Sequence, residues 1–263
     1  MSEFKICFII ANKYIRGYST HIKTYVENIN TFYKDCFVLI VDNNSNHFKE
    51  DITFDYENVL VITNTSECKF ELGAYKFGIS YLLENKLLNS YEYFVFTQDT
   101  FVLTNYYDFN NLLENNIIAC PLVGSSEGFF SVDYNCGIGY YRDHKDYSLI
   151  KDCISNLNLT HCVDKLSFCF SSSFVLNSSK LIEFLDFTKS INTNCKMHSE
   201  CTERILAGIL YVLNNSVNAS VEKIKIDDVI HLFTDTLTSK GSFKFNYFSK
   251  YLSNKTQLTE DKY

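Results

Sequence analysis

Four short apolar runs in the first hundred residues each end on side chains able to bind a polar ligand. KICFIIA (5–11) leads into Asn12-Lys13 and FVLIV (37–41) into Asp42-Asn43-Asn44-Ser45. NVLVIT (58–63) leads into Asn64 and YFVFT (93–97) into Gln98-Asp99-Thr100. Asp42 and Asp99 are the carboxylates of the set, with the chemistry to hold a hard cation or accept hydrogen bonds from a ligand. Taken singly, an Asx residue after a strand starts a turn or caps a helix. Four such ends matter only if the fold brings them to one edge.

The spacing between the runs implies that it does. Residues 20–33 place Ile22, Tyr25, Val26, Ile29 and Tyr33 at helical intervals, and residues 73–88 do the same with Tyr75, Ile79, Leu82 and Leu83 turned inward. Strands alternating with helices imply right-handed crossovers and a mainly parallel sheet. The carboxyl ends of such strands lie together, and ligands bind beside them. Asp42 and Asp99 then flank one cleft, along with Ala11 and Asn12.

Composition narrows the possibilities. The chain has 263 residues, 46% of them hydrophobic and 16% aromatic, which excludes a disordered polypeptide. A net charge of −7 argues against a general nucleic-acid or anionic-membrane surface and leaves room only for a local anion site. Cys7, Cys36, Cys120 and Cys169 lie in or beside apolar runs, and no CxxC pair occurs among the ten cysteines. No run of about 20 apolar residues is present to span a membrane. The apolar stretch near the N-terminus is too short for a secretory leader. These features point to a reduced, cytoplasmic compartment, with the Asn158-Leu159-Thr160 sequon unused.

The second half is less regular. IIACPLVG (117–124) reads as a strand, residues 124–146 as a Gly/Ser/Tyr-rich loop, and LSFCFSSSFVLN (166–177) as one bent strand or two. SSKLIEFLDFT (178–188) starts a helix with serine capping, and residues 198–215 form the clearest helix, with Ile205, Leu206, Ile209 and Leu210 as its stripe. Residues 222–230 suggest a last strand. The tail KGSFKFNYFSKYLSNK mixes aromatic and basic residues suited to a lid over a sugar or a diphosphate.

VLIVDNNSN (38–46), ELGAYKFGI (71–79), FVFTQDT (94–100) and FSSSFVLNSSKLIEF (170–184) together resemble the motif series of GT-A glycosyltransferases, particularly family 2. The resemblance spans roughly residues 4–230. It implies a Rossmann-like three-layer α/β sandwich in one domain. Residues 1–104 would bind the nucleotide sugar, 105–230 the acceptor, and 231–263 would form a tail.

It further implies a UDP-sugar donor bound by Ala11, Asn12, Asp42, Gly73, Lys76, Gln98 and Asp99, and a glycan or other hydroxyl acceptor. Asp99 and His231 would hold Mn2+ or Mg2+. Gln98 stands where the family often has the first acid of its D-x-D motif, which leaves the metal one charge fewer. Inverting transfer needs a carboxylate to take the acceptor's proton. The family places that acid at a later helix start, where HSECTER offers Glu200 and Glu203; Glu203 is also able to pair with Arg204, and Asp133 in the Gly-rich loop competes for the role.

The second expectation is a non-catalytic protein of the same shape that binds a nucleotide sugar or glycan. A nucleotidyltransferase or a dinucleotide-dependent dehydrogenase is disfavoured, because IIANKYIRGYS carries one glycine where a phosphate-binding loop needs several.

Overall fold

The computed structural model describes residues 5–16, 20–115, 117–125, 152–153, 155–158, 168–214, 227–228, 242–244 and 247–251. Its centre is a six-stranded, mostly parallel sheet. In chain order the strands are β1 (Ile6–Asn12), β2 (Cys36–Asp42), β3 (Val59–Thr63), β4 (Tyr93–Gln98), β6 (Ala119–Pro121) and β9 (Phe174–Asn177), arranged β3-β2-β1-β4-β9-β6. β1 pairs parallel with both β2 and β4, and β9 runs antiparallel to its neighbours β4 and β6. The expected parallel sheet is therefore present with one reversed strand inserted.

Strand alternation explains why β1 reads as an unbroken apolar run. Ile6, Phe8 and Ile10 belong to one core, while Cys7, Ile9 and Ala11 belong to the other. Both faces are covered, so neither set of side chains meets water. Helix α1 (Ile22–Phe32) covers the first face together with β5 (Phe101–Leu103) and Phe248. Helices α3 (Phe70–Glu84), α5 (Leu181–Thr188) and α6 (Lys196–Asn214) cover the second. The short helices α2 (Phe48–Asp51) and α4 (Asn110–Glu114) lie in connections. No described helix is long and apolar enough to cross a membrane.

Several expected details change. Leu83 faces outward at 47% exposure, because Ile79 and Leu82 already define the inward stripe of α3 and Leu83 lies a further 100° round the helix. The 117–124 run divides into β6 and β7 (Val123–Ser125), and the 166–177 run into β8 (Phe168–Cys169) and β9 around a 3-10 turn at Phe170–Ser172. β7 lies between β8 and β10 (Asp227–Asp228) in a second sheet. The 3-10 turn Ser178–Lys180 that leads into α5 is capped by Asn177, whose side chain accepts from the Ser179 amide at 3.0 Å, and α5 itself has no side-chain cap from a serine. Immediately after the Asp99-Thr100 turn the chain leaves the central sheet. β5 pairs instead with β12 (Phe248–Tyr251), which continues to β11 (Ser242–Lys244).

One buried amide fastens the second half to the sheet. Asn214, at the end of α6, accepts from the Ile118 and Ala119 amides at 2.9 and 3.0 Å and donates to the Ala119 carbonyl. Asn214→Ala orphans these buried groups and should cost about 1–3 kcal/mol, read as a lower urea midpoint at unchanged slope.

Candidate active site at the carboxyl edge of the sheet

Parallel register sets the strand ends in a row. Asn12 lies opposite Asp42, Asp42 opposite Thr63, and Ala11 opposite Gln98. The main chain continues the pairing past the strands: the Asn43 amide donates to Asn12, the Asn64 amide to Asp42 and the Asp99 amide to Ala11. β9 enters from the opposite direction, so the turn that precedes it reaches the same edge. The fold thus brings Ala11, Asn12, Asp42, Gln98 and Asp99 together.

Asp42 is nearly fully occupied within the protein. Oδ1 accepts from Asn12 Nδ2 at 2.6 Å and from Ser45 Oγ at 2.7 Å, while Oδ2 accepts from the Ser45 amide at 2.6 Å. Its carboxylate closes the turn to Ser45 and orients Asn12. The Asn12 side-chain oxygen, Oδ1, is buried and has no hydrogen-bond partner, an acceptor that a ligand N–H or O–H group would satisfy. Asp99, 7% exposed, accepts from the Lys13 amide at 3.3 Å.

Gln98 turns away from Asp99. Its Nε2 donates to the Ser171 carbonyl at 2.7 Å, and its Oε1 accepts from Thr100 at 3.0 Å. Ser171 and Ser172 hold left-handed backbone at φ 55° and 51°. Asn44 and His47, in the loop after β2, and Phe70, the first residue of α3, do the same. Such conformations cost on the order of 1–3 kcal/mol each and concentrate where a chain positions ligand-binding groups. Ser172 Oγ reaches Thr202 on α6 at 2.9 Å, which joins the β4 end to the helix that carries Glu200 and Glu203.

Two lysines border this edge. Lys13 Nζ donates to the Asn43 carbonyl and Lys69 Nζ to the Asn64 carbonyl, both at 3.1 Å. Burial lowers the proton affinity of Lys13, Asp42 partly restores it, and the neighbouring charge of Lys69 lowers it again. Glu71, at the start of α3, accepts from Ser199 Oγ at 2.5 Å. Neither Lys69 nor Glu71 stands out in the sequence, although Glu71 opens the ELGAYKFGI motif.

Lys76 does not join the cluster. Its ammonium caps the Thr188 and Ile191 carbonyls beyond α5, at 3.0 and 2.9 Å. Gly73 has a packing role, since a Cβ there would collide with the Cys68 carbonyl. Glu203 lies near Cys169, whose thiol is pushed up by burial and then by that charge. Glu200 occupies the second turn of α6. Asp133 and His231 lie outside the described residues.

The loop after β1 is anchored from the side. Asp51 accepts from Arg16 at 2.5 and 2.7 Å and from the Tyr14 hydroxyl at 2.9 Å, and Arg16 chiefly holds its carboxyl down at about 2. A depressed carboxyl stabilises the fold above its unfolded value and loses that contribution as pH falls through the folded one. The anchor should therefore hold at pH 4 and release toward pH 2, which a carboxyl NMR titration of Asp51 checks.

For a divalent cation, Asp99 offers one hard oxygen ligand. Gln98 adds no free oxygen and Asp42 is engaged. Among the described residues no group of three His, Cys, Asp or Glu side chains comes together. An ion such as Mg2+ or Mn2+ at this edge would have Asp99 as its hard oxygen ligand among the side chains gathered there. A scan against models of known protein families finds no match to this chain, and a search of curated proteins finds no similar sequence.

Proposed function

We propose that the protein is a glycosyltransferase of GT-A type that takes a nucleotide-diphosphate sugar, a UDP-sugar in the first instance, and transfers the sugar with inversion to a glycan or other hydroxyl acceptor. The observation that carries this reading is the convergence of Asn12, Asp42 and Asp99 at the carboxyl edge of a mostly parallel sheet, on either side of the β1 end. The Asn12 side-chain Oδ1 is oriented by Asp42 and suits a donor group of the nucleoside. Asp99 faces the diphosphate. A divalent ion, when bound, would neutralise charge on the leaving diphosphate.

The α6 carboxylates Glu200 and Glu203 are the first choices to accept the acceptor's proton, with Asp133 as the competitor. Glu71 is a further acid at the same edge, held by Ser199 at the α6 start. Hydrogen bonding to a carboxylate favours its charged form and makes it a weaker base, so Glu71 is not a first choice.

The second reading is a protein of the same shape that binds the nucleotide sugar without cleaving it. The locking of Gln98 onto Ser171 and Thr100 favours it, because the D-x-D position then contributes a single acid. Calorimetry with UDP, with and without Mn2+, tests what the two readings share. Saturable UDP binding supports a nucleotide site, and its absence in both conditions removes both readings. Stabilisation by a UDP-sugar without release of UDP selects the binding protein.

A further inference from the structure

We propose that the outer edge of β3 is a self-association surface, where a second copy of this chain adds its own β3 antiparallel and the two six-stranded sheets become continuous. The inference is independent of the glycosyltransferase reading and uses none of the residues assigned to the cleft.

β3 ends the sheet, and among the described residues its one strand neighbour is β2. The Val38 amide donates to the Asn58 carbonyl at 2.9 Å and the Asn64 amide to the Asp42 carbonyl at 2.7 Å, at the two ends of this parallel ladder. Backbone groups alternate sides along a strand, so Asn58, Leu60, Ile62 and Asn64 bond to β2, while Val59, Val61 and Thr63 direct theirs outward. The Val59 amide turns to the Tyr56 carbonyl at 3.2 Å. Among the described residues, the outward amides of Val61 and Thr63 meet no backbone acceptor. All of β3 is half-buried, whereas β2 beside it is buried apart from Phe37.

Neither charge nor proline guards this edge. Residues 58–66, NVLVITNTS, are uncharged in a chain of net charge −7, whereas edges that stay unpaired commonly carry lysine or proline. Apolar groups line both faces: Leu60 and Ile62 pack partly on one core, Val59 and Val61 on the other. Helix α3 widens the first of these faces. Gly78 rests on Ile9, Leu39 and Val41 of β1 and β2, and Lys76 reaches the carbonyls beyond α5, which lies over β4. That rotation puts Phe77 and Tyr81, half-buried and one turn apart, on the flank toward β3.

A second copy is the occupant that the edge itself specifies. Identical edges close about a two-fold axis by antiparallel pairing, in which residues stand directly opposite one another. Centred on Val61, the pair overlaps the whole strand. Each Val61 amide then donates to the Val61 carbonyl of the other copy, and each Thr63 amide to the other copy's Val59 carbonyl. These are the amides that lack an acceptor. The axis passes through the sheet, so like faces meet and the Phe77–Tyr81 flanks of the two copies approach. Acidic chains repel one another, and the uncharged stretch is where two copies can come together. Antiparallel addition also turns the two carboxyl edges to opposite ends, so each candidate site stays open.

The test is sedimentation velocity of the full chain across a range of concentrations, in reducing buffer, read beside residue-resolved hydrogen exchange. A dimer that dissociates on dilution is expected, with the Val61 and Thr63 amides protected in the dimer alone. Tyr81→Lys should weaken association about 10- to 100-fold, because each dimer carries the lost aromatic and the added charge twice. Leu83→Lys, at an exposed position on the other flank of α3, should leave association unchanged. Exchange on the unaltered protein decides the matter if Tyr81→Lys fails to fold. A monomer at every concentration, with both amides open, overturns the proposal and leaves the edge to a different chain. A dimer whose Val61 and Thr63 amides stay unprotected, or one that folded Tyr81→Lys forms as tightly as wild type, overturns it as well.

Discussion

Asp99→Asn is expected to lower sugar-nucleotide turnover by about 100- to 1,000-fold while leaving the fold intact, the scale seen when one preorganised electrostatic group is removed from a reacting site. The substitution keeps size and shape. The backbone bond from residue 99 to Ala11 at 2.9 Å does not depend on the side chain, so the turn after β4 persists. An amide oxygen can still accept from the Lys13 amide. What disappears is the negative charge that, in the proposed function, faces the diphosphate or its counter-ion. Thermal unfolding of the variant should match the wild type, and kcat/KM with the best donor supplies the readout. Normal turnover by Asp99→Asn would sink the assignment of this residue.

The largest expected effect on stability lies one layer inside the site. Phe174 on β9 stacks on Phe96 of β4 at 4.4 Å between ring centroids, meets Tyr75 of α3 edge-on at 5.7 Å and Phe184 of α5 at 5.2 Å. All four rings are fully buried. Truncation in so crowded a position leaves a cavity that several rigid rings cannot collapse to fill. Phe174→Ala should cost about 3–5 kcal/mol, measured by urea unfolding. Ile182→Ala, at an exposed position on α5, should fall within about 0.5 kcal/mol of wild type and serves as the control. Phe174 also begins the antiparallel strand directly after the Ser171–Ser173 turn. Partial loss of the stack should therefore loosen the Gln98–Ser171 bond before the rest of the sheet.

Residue patterns anticipate the first half of the fold well, for a local reason. Strands buried on both faces leave continuous apolar runs, and α1 and α3 carry their stripes at helical spacing. Parallel pairing then fixes which ends meet, so Asn12, Asp42 and Asp99 could be placed on one edge from their positions alone. Side-chain partners could not. Lys76 turns to the carbonyls beyond α5, and that choice depends on a helix more than a hundred residues away in sequence. Gln98 is held by the carbonyl of a serine in left-handed backbone, a conformation that serine does not advertise. Asp42 turns inward to Ser45 and Asn12, so it organises Asn12, a pairing across two strands that no local pattern in DNNS specifies.

Reversal of β9 has a similar cause. Antiparallel or parallel entry depends on how residues 104–173 return to the sheet, and no hydrophobic period encodes that path. Its consequence for the candidate site is one of placement: reversal delivers the start of β9, with its serine turn, to the same edge as the ends of β1, β2 and β4.

The most direct measurement is release of nucleoside diphosphate from a panel of nucleotide sugars incubated with the wild-type chain, with Mn2+ and in EDTA, with and without candidate hydroxyl acceptors. A transferase at this edge predicts release from at least one donor, saturating with donor concentration and inhibited by free UDP. Absence of release from every donor in both conditions would contradict it.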